Sequence, residues 1–319
     1  MDAIVVEDLR KSYGDVQALD GISFTVGEGE VFGLLGPNGA GKTTTVKVLA
    51  TLTKPDSGRA EVVMQDVVKD PNGVRRTIGY VPQGSGVDRD ATGRENLMLQ
   101  GRIQRMHGAQ LKSRVNELLR LVGIEEAADR VVRGYSGGMK RRLDVALGLV
   151  HRPRVVYLDE PTTGLDPEAR VSMWEELGRI AGQEALTILL TTHYLEEADH
   201  LANRLAIVSR GHVVVEGTPN RLKQSLEGDS VTVELVDGST PEARAIIESL
   251  NGIREVRVEG RLLRSRVENG ARAIPQILSA LDRSGIAVDA VDSHRPSLDD
   301  VYLHYTGRDF SEEDEAITE

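Results

Sequence analysis

Gly36-Pro37-Asn38-Gly39-Ala40-Gly41-Lys42-Thr43-Thr44 lies between an apolar run, Glu30–Leu35, and a helical pattern, Lys42–Leu52. Its fixed positions fit G-x-x-x-x-G-K-[ST], and the order strand, loop, helix is the context this spacing requires. Glycines let the backbone wrap closely around a phosphate, and the start of the helix attracts the anion. Lys42 then supplies a cation for the β- and γ-phosphates, and the Thr43 hydroxyl can ligate Mg²⁺. The stretch predicts an α/β fold of the phosphate-loop NTPase kind, with residues 36–44 binding a nucleoside triphosphate.

The second informative stretch is Val155-Val156-Tyr157-Leu158-Asp159-Glu160. A continuous apolar run suits a strand covered on both faces of a parallel sheet. Ligands in such sheets sit beyond the carboxyl ends of the strands. Asp159 is therefore a candidate Mg²⁺ ligand, and Glu160, facing the other way, can orient or deprotonate an attacking water.

Outward from these motifs, short apolar runs alternate with helical patterns, as in an α/β domain. Ile4–Val6, Ile78–Val81, Leu186–Thr191 and Leu205–Val208 read as further strands. Arg94–Met106, Leu111–Leu121, Lys140–Leu149, Glu168–Ile180 and Glu196–Ala202 read as helices. Residues from about 91 to 150 form a helical subdomain inserted in the α/β core. The turn cluster Glu216-Gly217-Thr218-Pro219 and the short helix Asn220–Leu226 lead to a domain boundary at Gly228. Beyond it the pattern restarts as strand, helix, hairpin, helix and strand, a ferredoxin-like βαββαβ order, closed by a helix over Ser297–Tyr305. The expected organisation is 1–228 for the nucleotide-binding domain, 229–308 for an accessory α+β domain, and 309–319 for an acidic, disordered tail.

Ser136-Gly137-Gly138-Met139, followed by Lys140-Arg141-Arg142, completes an ordered set with Gly36–Thr43 and Leu158–Glu160. Together they resemble the nucleotide-binding domain of ABC ATPases over about Ile4–Gly217. The resemblance implies that Tyr13 stacks on adenine, that Gln83 senses Mg²⁺ and the γ-phosphate, and that His193 contacts the γ-phosphate. It also implies that Ser136, Gly137 and Gly138 form the family signature, and that Gly164-Leu165-Asp166 is the loop after the catalytic glutamate. Two positions depart from the usual signature. Tyr135 replaces a leucine, and Met139 replaces a glutamine and its polar contacts. The Tyr-Ser-Gly-Gly-Met variant and the C-terminal Pro296–Gly307 stretch resemble ATP-binding subunits of the daunorubicin-resistance type of drug exporter. That likeness implies two copies facing each other, with ATP between residues 36–43 of one and 136–138 of the other. It further implies separate integral-membrane permease subunits, touched near Gln83–Asn96. Lipid, polysaccharide or sodium-ion export would use the same build. A soluble ATPase of translation or DNA repair is the alternative of another class, though such chains usually carry two cassettes or a long coiled-coil insert.

Bulk composition narrows the classes further. The chain has 319 residues, a net charge of −11 and no cysteine. Disulfides, thiolate catalysis and cysteine–zinc sites are therefore excluded. The acidic balance argues against a nucleic-acid partner. It is uneven, with 19 acidic against 10 basic residues in 229–319. No apolar run approaches the ~18–20 residues of a membrane span, and Met1–Arg10 does not read as a secretory signal. The expected location is the cytoplasmic face of the membrane, as a peripheral subunit. His107, His151, His200, His212, His294 and His304 lack ligand spacing, and Trp174 reads as a packing residue.

Overall fold

Strands Val31–Leu35 and Val155–Asp159 are almost wholly buried, as apolar runs covered on both faces must be. They form the centre of the first of two compact units, Met1–Pro219, in a computed structural model of the chain; the second unit begins at Asn220. The structure describes residues 1–184, 186–236 and 240–307. The expected disordered tail, 309–319, lies outside them.

The first unit runs through Asp2–Tyr13 (β1), Val16–Gly27 (β2), Val31–Leu35 (β3), Lys42–Leu49 (α1), Ser57–Val62 (β4), Gln65–Asp66 (β5), Pro71–Thr77 (α2) and Ile78–Val81 (β6). Then come Gly93–Ile103 (α3), Gly108–Leu121 (α4), Gly137–Leu149 (α5), Val155–Asp159 (β7), Pro167–Glu184 (α6), Thr187–Thr192 (β8), Leu195–Leu201 (α7), Arg204–Ser209 (β9) and His212–Gly217 (β10). The central sheet has the order β10-β9-β3-β8-β7-β6, parallel from β9 to β6, with β10 antiparallel at its edge. A second, antiparallel sheet has the order β2-β1-β4-β5. One apolar cluster joins that sheet to the central one, and another joins the central sheet to α3, α4, α5 and α6.

The helical arm is fixed by short-range chemistry. Thr92 and Glu95 form a reciprocal capping box at the start of α3. Ser136 caps α5, its Oγ accepting from the Met139 N–H at 3.2 Å. That cap starts α5 at Gly137 rather than at Lys140. Two helices end earlier than their apolar periodicity suggests, because Thr51 (φ 60°) and Arg105 (φ 62°) take left-handed backbone. The arm also packs tightly on the central sheet. A Cβ at Gly79 of β6 would lie 2.2 Å from the Gly148 carbonyl of α5, so only glycine allows this approach.

The antiparallel sheet is the main departure from the sequence reading, which found only Ile4–Val6 of it. Pairing of β1 with β2 is interrupted by register shifts at four places, which destroy the period of two.

Pro219–Ser225 (α8) starts at the last residue of the first unit and leads into the second, which continues with Asp229–Leu235 (β11), Thr240–Glu248 (α9), Ile253–Glu259 (β12), Leu262–Val267 (β13), Gly270–Arg283 (α10), Val288–His294 (β14) and Leu298–Thr306 (α11). Its sheet is antiparallel in the order β12-β13-β11-β14, which is the ferredoxin-like order. Val231, Val233, Leu263, Ile277 and Leu281 form a core of its own.

Candidate nucleotide site

Residues 36–44 link β3 to α1 at the carboxyl end of the central sheet, the position expected of a ligand loop. Gly41 caps α1 with φ 108°, a conformation open to glycine and costly for other residues. The loop, Glu160, Val16 and Ala18 line a cleft of about 210 Å³. Val16 and Ala18, on β2, carry no motif and were not singled out from sequence.

Lys42 is buried, and its ammonium donates to the Gly36 and Pro37 carbonyls at 2.6 and 3.0 Å. It also lies 3.6 Å from Glu160 Oε1. Thr43 Oγ1 donates to Asp159 Oδ1 at 3.1 Å. That oxygen also accepts from Thr191 Oγ1 at 2.7 Å, while Tyr80 OH reaches Oδ2 at 3.4 Å. Burial, and then the Asp159 carboxylate, push the Tyr80 phenol up to about 12. A hydroxyl and a carboxylate at this separation are hard oxygen donors and fit Mg²⁺, which leaves its other positions to phosphate oxygens and water.

Glu160 is the most connected group. Gln83 Nε2 donates to its Oε2 at 2.9 Å, and Thr163 Oγ1 does so at 3.2 Å. His193 Nδ1 is 3.2 Å from the same oxygen. Burial by itself raises the Glu160 carboxyl, but His193, Lys42 and Thr163 outweigh it and hold the group below its ordinary value of 4.5. The Glu160 backbone is left-handed, with φ 47°, and its N–H donates to Thr191 Oγ1 at 3.0 Å.

Of the residues chosen from sequence, Lys42, Gln83 and His193 gather on Glu160, and Thr43 meets Asp159, the two groups being adjacent through Thr191. Tyr13 is not among the cleft residues. It is about half exposed at the β1–β2 turn, paired with Val16, with Lys11 Nζ 5.5 Å from its ring centre. Ser136 and Gly137 are exposed at the tip of α5, outside the cleft. The cleft offers an anion cradle, the buried Lys42 cation, the Thr43 hydroxyl and the Glu160 carboxylate, with Asp159 behind Thr43.

Comparison with known proteins matches the ABC transporter family over residues 19–163. A second match, over residues 217–306, is to the C-terminal domain of DrrA1-3-like ATP-binding proteins. The daunorubicin resistance ATP-binding protein DrrA3 of Streptomyces coeruleorubidus is 44% identical, covering 96% of each chain. The Nod factor export ATP-binding protein I of Ralstonia nicotianae is 40% identical, covering 95% of this chain and 94% of its own. Among solved structures, a dimeric ATP-binding cassette in a post-hydrolysis state, bound to ADP and Pi, aligns with a TM-score of 0.61 at 25% identity. It covers 67% of this chain and 98% of its own.

Proposed function

The chain belongs to the ABC transporter ATP-binding family, and on that premise we propose that it hydrolyses ATP to drive an exporter built from two copies of this chain and separate integral-membrane permease subunits. The observation that carries the reading is the convergence of Lys42, Gln83, Thr163 and His193 on one ionised carboxylate, Glu160, beside the phosphate-loop cleft.

In this reading the loop and Lys42 bind the triphosphate, and Thr43 and Asp159 hold Mg²⁺. When bound, Mg²⁺ supplies charge neutralisation on the phosphates. Glu160 accepts a hydrogen bond from the attacking water and directs it along the line of attack. The same carboxylate can take the water's proton as the new bond to phosphorus forms. Gln83 and His193, anchored on Glu160, sense the γ-phosphate. Tyr13 stacks on adenine, and Ser136–Gly138 face the nucleotide of the other copy. The dimeric relative with bound ADP and Pi supports the paired arrangement.

A further cleft of about 350 Å³, lined among others by Leu52, Arg75, Gln100, Gln104 and Asp144, adjoins Gly86. With the exposed Leu99 and Ile103 of α3 nearby in sequence, it supports docking of the permease on the helical arm. No helix among the described residues is long and apolar enough to cross a membrane. A peripheral place at the cytoplasmic face, beside permease chains, belongs to the same reading and rests on the family. The first candidate cargo is a drug of the daunorubicin class, from the names of the relatives at 41–44% identity. The Nod factor relatives favour a second reading with a different exported molecule, since cargo is selected by the membrane subunits.

Lys42→Ala tests the reading. Nucleotide binding, followed by a fluorescent ATP analogue, should weaken, and phosphate release should vanish. Turnover within about twofold of the parent would contradict it, because one charge-assisted phosphate contact is worth well over a factor of two.

A further inference from the structure

Arg141 is a single buried cation that gathers backbone from two separate segments, 159–161 and Pro82. It sits one turn into α5, and only 7% of it is exposed. Its Nε donates to the Pro161 carbonyl and its Nη1 to the Pro82 carbonyl, both at 2.6 Å. Its Nη2 donates to the Asp159 and Glu160 carbonyls at 3.1 and 3.2 Å. Those carbonyls belong to the carboxylate-bearing strand end, the turn after it, and the loop that carries Gln83. Asp144, further along α5, interacts electrostatically with Arg141 and accepts the Gly86 N–H at 2.9 Å. The signature end of α5 is therefore tied to both sides of the Glu160 cluster through one helix.

We propose that Arg141 is a positioning residue that couples the nucleotide state at Asp159–Glu160 and Gln83 to the helix carrying Ser136. A planar fork with five N–H donors can hold four carbonyls at once. Any shift of the strand end or of the 82–86 loop must then move α5 or break a bond to a buried guanidinium. Lysine has three donors on one point charge and cannot reproduce the fork. This inference rests on reading the cleft as an ATP site.

Hydrogen–deuterium exchange on the full chain, with and without a non-hydrolysable ATP analogue and Mg²⁺, tests it on the parent, Arg141→Lys and Arg141→Gln. In the parent, the analogue should slow exchange in residues 36–45, and in residues 82–90 and 136–149 by about fivefold or more, the lower end of usual inter-site coupling. In both variants, protection of 36–45 should persist and analogue affinity should stay within about threefold, while the response of 82–90 and 136–149 falls below about twofold. A merely structural role would lower thermal stability without separating these responses. Equal responses in parent and variants, or a parent whose 136–149 segment ignores the analogue, overturn the inference. A parent whose residues 36–45 show no protection overturns the ATP reading instead. Should the Arg141 variants fail to fold, Asp144→Asn serves on the 82–90 side. It leaves Arg141 in place and should weaken the response there, and an unchanged response overturns the inference.

Discussion

Gln83 Nε2 donates to Glu160 Oε2 at 2.9 Å, so the loop after β6 and the end of β7 meet through a single carboxylate oxygen. Glu160→Gln keeps the shape of that side chain and removes its charge. Turnover is expected to fall by about 10²–10⁴-fold, the usual worth of general-base help. ATP binding is expected to persist, because Lys42 and the loop are untouched. Size-exclusion chromatography with ATP and Mg²⁺ should show a dimer that the parent forms only transiently. Normal turnover in this variant would reduce Glu160 to a strand-end acid.

Tyr135 and Gly93 make a coupled pair in the helical arm. Tyr135 OH donates to the buried Ala127 carbonyl at 2.6 Å, and a Cβ at Gly93 would sit 2.5 Å from that hydroxyl. Gly93→Ala should therefore cost about 1–3 kcal/mol of stability. Tyr135→Leu, the residue usual in this family, removes the hydroxyl and should recover much of that cost. Urea titrations of the two single variants and the double variant would expose the non-additivity. Simple addition of the two effects would show that the contact is not tight.

Glu197 is fully buried, and its Oε1 accepts from Thr162 Oγ1 at 2.9 Å and Trp174 Nε1 at 3.1 Å. Burial raises its carboxyl above the ordinary 4.5, against the pull of its hydrogen-bond donors. A carboxyl raised on folding contributes stability that is present below the unfolded value and lost as pH rises through the folded value. Glu197→Gln cannot titrate, so its stability relative to the parent should improve as pH rises above about 4.5. Chemical denaturation at acidic and neutral pH measures this. A relative stability that falls with pH would place the parent carboxylate in a site that favours its charge.

The second unit carries its own core and a complete four-stranded sheet. Residues 220–307, expressed alone, should fold and unfold cooperatively, as judged by coincident fluorescence-independent probes such as far-UV circular dichroism and calorimetry. Truncation after Gly228 should leave nucleotide binding intact and alter dimerisation or transport. Loss of nucleotide binding by a truncated but folded chain would make the second unit part of the site.

What could be read from sequence followed the range of the interactions involved. The parallel strands were legible because each is a short apolar run, and Ile78–Val81 has the same bounds in the structure. The β1–β2–β4 sheet was largely missed. Its register shifts break the alternation, and Ser57-Gly58-Arg59-Ala60-Glu61-Val62 is too polar to announce a strand. In the site, Lys42, Thr43, Asp159 and Glu160 stand in local motifs whose spacing carries their chemistry. Thr191 and Thr163 do not, and Arg141 follows the signature without any spacing that points to its partners. Thr191 bridges the Asp159 side chain and the Glu160 backbone from a neighbouring strand, and Arg141 works through carbonyls, which any sequence supplies. Neither relation exists before the chain is folded.

The left-handed backbone at Glu160 carries an evolutionary consequence. A non-glycine residue held there costs on the order of 1 kcal/mol or more, which glycine or asparagine would largely recover. The Gln83 and Thr163 hydrogen bonds and the Lys42 ion pair offset that cost, so the strain persists only while a side chain is there to anchor them. Variation at this codon therefore meets two opposed pressures, relief of the backbone and loss of the anchor. A library of this chain screened for thermostability alone should keep at 160 a residue that can still accept these hydrogen bonds, whatever becomes of turnover.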